Sequence, residues 1–286
     1  MQIILVSIGN FQEYIIENIK NLKLFNNNDI VVITEMRFFP LLQDLSVTLI
    51  DCAQLEDYNY NTISKLDKTF RNGFWHLCSL RLFYLYSYLK KNEIKDCIHL
   101  ENDVISYVNY DKIFKDLKLN KLYATFDANT RVIPGILYIP NYNALRPIIE
   151  NYNLELNDMD NLAKYDETII ESLPIFPIID SIINKYNINF NKFNYIFDAA
   201  AIGQYLGGID PRNQSGDTRG FINETCVIKY NNYNFNWIKT NNLYIPYILV
   251  NNILYPIANM HIHSKELYKF LSNNPLEDKF ITKNVE

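Results

Sequence analysis

Ile98-His99-Leu100-Glu101-Asn102-Asp103 is an apolar run that ends in two carboxylates two residues apart. On an extended chain residues i and i+2 share a face, about 6–7 Å apart along the backbone. Glu101 and Asp103 therefore converge on one side while Asn102 points away. Two oxygen donors aimed at one point suit a hard divalent cation such as Mg²⁺ or Mn²⁺. A polar strand end or turn has the same composition, so the pair takes its meaning from its surroundings.

Residues 74–89, just upstream, read as a long, mostly apolar helix interrupted by Arg81, with Lys90-Lys91 suiting the dipole at its C-terminal end. A guanidinium in so apolar a helix needs an anion, either an internal carboxylate or the phosphates of a ligand, unless it snorkels to solvent. Further upstream the pattern alternates. Residues 2–7, 30–34 and 46–50 read as strands, 11–22 as a helix and 62–70 as a second short helix. Such alternation specifies a mainly parallel sheet. Ligands of these sheets bind beyond the carboxyl ends of the strands, where Gly9, Glu35 and Asp103 fall.

The strand ending in Ser7-Ile8-Gly9, the strand ending in Thr34-Glu35, the Arg81 helix and the acidic pair together resemble the GT-A-fold glycosyltransferases that use nucleotide sugars. The resemblance implies a Rossmann-like α/β fold with a mainly parallel sheet flanked by helices and a C-terminal α/β extension. In that family an Asp-x-Asp motif at a strand end holds Mn²⁺ or Mg²⁺ against the donor diphosphate, and a basic residue on the preceding helix faces the nucleotide. It thus implies metal roles for Glu101 and Asp103 and donor-binding roles for Ser7, Gly9, Glu35 and Arg81. Glu101 stands where the family has its first Asp, which keeps the charge but lengthens the reach and makes Asp103 the firmer ligand.

Tyr255-Pro256-Ile257-Ala258-Asn259-Met260-His261-Ile262-His263-Ser264-Lys265 places two of the four histidines on one face of a predicted strand, before a short helix from about Ser264. Glycogenin-like transferases add a late histidine to the metal and a nearby lysine to the phosphates. This segment is similar in content, not in spacing. The resemblance implies His263, nearer the strand end, as metal ligand with His261 as the alternative, and Lys265 as a phosphate partner.

Between these segments, residues 122–126 read as a strand, and 132–140 look like the family's second core strand, whose Gly135 allows a close backbone approach to the sugar. Asp158 opens a short helical segment, either as its N-cap or, as the resemblance implies, as a carboxylate gripping donor-sugar hydroxyls. Asp198 precedes an Ala-rich helix that Gly207-Gly208 ends; it is an N-cap by pattern and a second candidate catalytic acid. Residues 212–223, rich in Gly, Asn, Asp, Ser and Thr, read as a long loop suited to a lid.

The 286 residues, 48% hydrophobic and 14% aromatic, suffice for a single large core. One domain is expected, with residues 1–140 as the nucleotide-sugar half and 141–286 as the acceptor half carrying the C-terminal metal and phosphate segment. A net charge of −5 argues against a nucleic-acid surface, which would be basic. Binding an anionic nucleotide then requires local positive charge from a metal, Arg81 and Lys265. Cys52, Cys78, Cys97 and Cys226 have no metal-ligand spacing and read as free thiols of a reducing compartment. With no basic leader and no run of about twenty apolar residues, a cytoplasmic location is expected. Without secretion, the patterns at Asn213-Gln214-Ser215 and Asn223-Glu224-Thr225 carry no weight as glycosylation sites.

The expectation is a metal-dependent transferase that moves a sugar from a nucleoside diphosphate sugar, a UDP-sugar foremost, to a glycan or protein acceptor. A sugar-phosphate nucleotidyltransferase would carry a Gly-rich, basic signature that Ser7-Ile8-Gly9-Asn10-Phe11 lacks. A non-catalytic glycan-binding or structural protein would explain the Tyr and Asn richness but would not need Glu101, Asp103, His263 and Lys265 to converge.

Overall fold

Runs of β-branched and aliphatic residues flank the acidic motif, and in the computed structural model, which describes residues 1–117, 119–213 and 219–273, they become strands, buried on both faces at the centre of the sheet and partly exposed at its β3 edge. β1 (Gln2–Ser7), β2 (Ile30–Thr34), β3 (Thr48–Asp51) and β4 (Lys95–Leu100) pair in parallel in the order β3-β2-β1-β4. The chain leaves this sheet at β5 (Val104–Ser106) and returns to it as β6 (Leu122–Ala128), β7 (Arg131–Asn141) and β8 (Ile170–Ser172). The full order is β3-β2-β1-β4-β7-β6-β8, with the β4–β7 and β7–β6 pairings antiparallel and the rest parallel.

Helices cover both faces, as the alternation along each strand demands. α1 (Tyr14–Leu24) sets Ile15, Ile19 and Leu22 against Ile3, Leu5, Ile98 and Leu100. On the opposite face α2 (Phe74–Lys91) sets Leu82, Leu85 and Leu89 against Ile4, Val6, Cys97 and Leu137. Each such aliphatic side chain, taken fully out of water, contributes about 1.5–3 kcal/mol. α3 (Tyr142–Glu150) and α4 (Asp158–Ala163) pack beside α2 and β7.

A second sheet is built mostly from the C-terminal third. β9 (Ile196–Phe197) and α5 (Ile202–Gly207) precede an antiparallel meander of β10 (Asn234–Thr240), β11 (Leu243–Val250) and β12 (Ile253–His261). Its order is β10-β11-β12-β5, with β9 alongside β12. The C-terminal extension is thus richer in strand than in helix. Residues 1–140 and 141–286 interlock, because β5 joins the second sheet while β8 extends the first.

The helix expected over 62–70 is confined to Tyr60–Ile63, followed by a 3₁₀ turn at Phe70–Asn72. Between them Asp67 Oδ1 accepts from the backbone and hydroxyl of Thr69, both at 2.7 Å, and Ser64 Oγ accepts from Leu66 N at 3.4 Å. Side chains that bond their own backbone in this way favour turns over helix. Residues 214–218 of the stretch expected as a lid, with Gln214 and Ser215 of the first glycosylation pattern, lie outside the described residues. Among the described residues no helix is long and apolar enough to cross a membrane.

Candidate metal and donor site

β4 alternates Ile98 and Leu100 toward α1 and Cys97 toward α2, so His99 and Glu101 continue on the α2 side. There the chain turns. Glu101 N donates to Gly135 O at 3.0 Å, and Val104 N donates to Glu101 O at 3.1 Å. Asn102 faces the other way, as expected. Its Nδ2 donates to Val6 O at 3.0 Å and to Gln12 Oε1 at 2.6 Å, while Asn18 Nδ2 donates to Asn102 O at 3.1 Å. The middle residue pins the turn to β1, and the flanking carboxylates are left to face a common point.

The antiparallel register of β5 with β12 sets His261 opposite Val104, and Ile262 N donates to Asp103 O at 2.8 Å. His261 Nε2 consequently lies 3.0 Å from Glu101 Oε2 and 3.2 Å from Asp103 Oδ1. Ligand atoms of Glu101, Asp103 and His261 all lie within 4.8 Å of one another. His263, preferred over His261 on sequence grounds, stands beside this group but is not one of the three residues whose ligand atoms converge. β12 stops at His261, so strand alternation no longer carries to residue 263. The His263 ring stands 4.4 Å from that of His261, with its Nδ1 2.8 Å from the Gln204 amide. Lys265, at a left-handed φ of 63°, turns its Nζ onto Asp103 Oδ2.

Arg81 meets its need for an anion twice within the protein, at Glu101 Oε1 and at Asp158 Oδ2, the latter at 2.6 Å. Of the two partners left open for this helix cation, the structure therefore shows internal carboxylates. Asp158 is the first residue of α4 rather than its cap. Asn157 is the cap, its Oδ1 accepting from Asp160 N at 3.0 Å.

These pairings set the protonation states. Burial works against the Arg81 charge, but Glu101 and Asp158 outweigh it and hold the guanidinium above its ordinary range. Burial would likewise lower the imidazolium pKa of His261; Asp103 and Glu101 reverse this and raise it to about 10. Against burial, Arg81 and His261 hold Glu101 below the usual carboxylate range, and Lys265 and His261 do the same for Asp103. Burial dominates at Asp158, whose pKa is raised despite Arg81. Burial and the neighbouring His261 charge push His263 down to about 3. The group thus sets three carboxylates, Glu101, Asp103 and Asp158, against an imidazolium, an ammonium and a guanidinium.

Two glycines give the imidazole its place. A Cβ at Gly135 would lie 2.9 Å from His261 Nδ1, so the close approach expected at this glycine is made by the imidazole. A Cβ at Gly203 would lie 2.0 Å from His261 O, so α5 reaches the end of β12 only because residue 203 has no side chain. Asp198 fastens the same junction. Fully buried, it accepts from the backbone N–H of Ala201, Ile202 and Gly203 at 2.8 Å each and from His261 N at 2.9 Å. Four backbone donors occupy this carboxylate, which accepts from the N–H groups at the start of α5 without being its N-cap residue, a position held by Ala201.

At the neighbouring strand ends Ser7, Gly9 and Glu35 form one network. Gly9 N donates to Glu35 Oε1 at 2.8 Å, Thr34 Oγ1 donates to Ser7 O at 2.5 Å and Arg37 Nη2 donates to Gly9 O at 2.6 Å. Gly9 has a φ of 84°, and a Cβ there would meet Leu77 Cδ1 of α2 at 2.6 Å.

The sequence reading missed Tyr14, whose ring lies 5.6 Å from Lys265 Nζ, and Gln204. It also missed the pair formed by Asp210 and Arg212. An acid and a base two residues apart, just after Gly207-Gly208, were a legible signal of that pair.

No protein-family model matches the chain, and no curated protein is significantly similar to it. Similar solved structures include the galactosyltransferase LgtC in complex with donor and acceptor sugar analogs, at 14% identity over 61% of this chain and 73% of that one, with a TM-score of 0.41. Mouse xyloside xylosyltransferase 1 is similar at 11% identity over 60% and 84%, with a TM-score of 0.42. The glycosyltransferase GlyE of Streptococcus pneumoniae is similar at 18% identity, with a TM-score of 0.39, over 60% of this chain and 44% of its own length. Likenesses this distant leave function to be argued from the chain's own residues.

Proposed function

We propose that this protein is a metal-dependent glycosyltransferase that moves a sugar from a nucleoside diphosphate sugar, a UDP-sugar foremost, to a glycan or protein acceptor. The observation that carries the reading is the meeting of Glu101, Asp103 and His261 beyond the carboxyl end of a parallel strand, the place where open α/β sheets bind ligands. Two carboxylates and one imidazole fit Mn²⁺ or Mg²⁺. Glu101, Asp103 and His261 would hold the ion, which when bound offsets the charge that develops on a departing diphosphate.

The chain's own residues divide the remaining work. Lys265 supplies a cation for the phosphates. Arg81 works behind the site, orienting Glu101 from one side with Asp158 as its second anchor. Ser7, Gly9 and Glu35 hold the nucleotide end of the donor, and Asp198 keeps His261 in place through its backbone N–H. The half through residue 140 serves the donor and the remainder the acceptor. A non-catalytic glycan-binding role would not require an acidic pair and a histidine from opposite ends of the chain to face one point. Four free cysteines support a reducing, cytoplasmic setting.

Titration calorimetry with UDP or GDP and Mn²⁺ tests the reading. Binding is expected to require the metal and to be lost in Asp103→Asn, which removes a charged ligand at constant volume. Equal affinity in the variant and the parent would overturn the metal assignment.

A further inference from the structure

A donor diphosphate brings several negative charges to this site, yet the arginine and the lysine described there, like the His261 imidazolium, are already paired within the protein. Arg81 is closed between Glu101 and Asp158, and Lys265 rests on Asp103. Arg212 differs from both. Its partner Asp210 is buried, whereas the Arg212 side chain keeps 52% of its surface exposed.

The grip on Arg212 is side-on. Asp210 Oδ1 accepts from Arg212 Nε at 3.0 Å and from its backbone N–H at 2.9 Å, while Oδ2 accepts from Nη2 at 2.7 Å. Contacts through Nε and Nη2 fix the guanidinium plane and leave Nη1 directed away from the carboxylate. A guanidinium ordered in advance loses less rotamer freedom when it meets a phosphate, and its fork of N–H donors matches phosphate oxygens.

Its position joins the two sides of the site. The Arg212 guanidinium carbon lies 5.8 Å from the ring centroid of Phe74, the first residue of the helix that carries Arg81. The adjoining Asn213 accepts a hydrogen bond from Arg71, in the turn before that helix. At the other end of the segment, Gly207 packs close to Ser264, the neighbour of Lys265; a Cβ added to it would lie 3.4 Å from the Ser264 hydroxyl. Residues 207–212 therefore span from the Lys265 loop to the start of α2. Arg212 is near enough to Asp103 and Tyr14 to act on both electrostatically, as Lys265 acts on Asp210.

We propose that Arg212 is a phosphate-binding residue of the donor site, held ready at its mouth by Asp210. The inference rests on the reading of this site as one that takes a nucleoside diphosphate. Because its partner is a single exposed-side grip and not a closed ion-pair network, Arg212 engages a phosphate without abandoning Asp210.

Calorimetry with Mn²⁺ and UDP or GDP, whichever the parent binds, at two salt concentrations and against the matching nucleoside, provides the test. Arg212→Gln is expected to weaken nucleoside diphosphate binding by about tenfold or more, the usual loss for a hydrogen bond to a charged group. It should leave nucleoside binding unchanged and flatten the salt dependence, with Arg212→Lys recovering part of the loss. Asp210→Asn should weaken the diphosphate less, by loosening the grip. Unchanged diphosphate affinity in Arg212→Gln, with the parent still binding in a metal-dependent way, would overturn the inference and leave the site reading intact. A parent that binds no nucleoside diphosphate would overturn both.

Discussion

Removing the Arg81 guanidinium would leave the buried Asp158 carboxylate without a counter-charge and Glu101 with His261 alone. Breaking one side of such a pair typically costs about 3–5 kcal/mol. Arg81→Ala is accordingly expected to lose that much in denaturant unfolding, measured without ligand, and a loss under about 1 kcal/mol would show that Arg81 is no internal anchor. The need of this arginine for an anion was plain from its apolar helix. Which anion it meets was not, because Asp158 lies 77 residues away and only the packing of α2 against α4 brings it there. The acidic pair itself was legible from the rule of strand alternation, which puts Glu101 and Asp103 on one side of Asn102, although β4 stops at Leu100 and a turn carries all three. His261 and His263 show the limit of the same rule, which is assured only as far as the strand runs, and nothing in His261-Ile262-His263 marks its last residue.

β7 and β12 come from different sheets and touch where Gly135 faces the His261 ring. A methyl group at residue 135 has 2.9 Å of room to the imidazole nitrogen, less than a carbon needs, so the ring must move. Overpacking of this kind costs about 1–3 kcal/mol. Gly135→Ala should therefore fold, with a modestly lowered melting temperature, and should lose metal-dependent nucleotide affinity out of proportion to that change. Calorimetry and melting on the same sample separate the two effects; an affinity equal to the parent's would mean that the imbalance is absorbed without disturbing His261. β1, β2 and β4 were readable because their aliphatic runs are buried on both faces, whereas β8, only three residues long with a glutamate at its centre, was not. Short-range competition hid other elements. The turn around Asp67 and Thr69 displaces an expected helix through side-chain bonds to its own backbone.

The chain crosses between the two sheets three times, at β4–β5, β5–β6 and β8–β9, and the acidic turn is the first of these crossings. An ion held by Glu101 and Asp103 from that turn and by His261 from the second sheet would bind the folded chain and not the unfolded one. Such a ligand stabilises by mass action, by about 2.7 kcal/mol at a hundredfold excess over Kd. Mn²⁺ is expected to raise the melting temperature, chelation to restore it, and Asp103→Asn to abolish the shift; an equal shift in the variant would place the ion elsewhere. How the sheets meet was not legible, because β5 is only three residues long and its pairing with β12 spans most of the chain. That long span bears on synthesis. A ribosome releases Glu101, Asp103 and Arg81 early, but His261 and Lys265 emerge only after β10, β11 and the rest of β12 have been made. A nascent or prematurely terminated polypeptide therefore carries the acids and lacks the imidazole and the ammonium, so a metal and donor site built from all of them would be complete only once translation has passed β12.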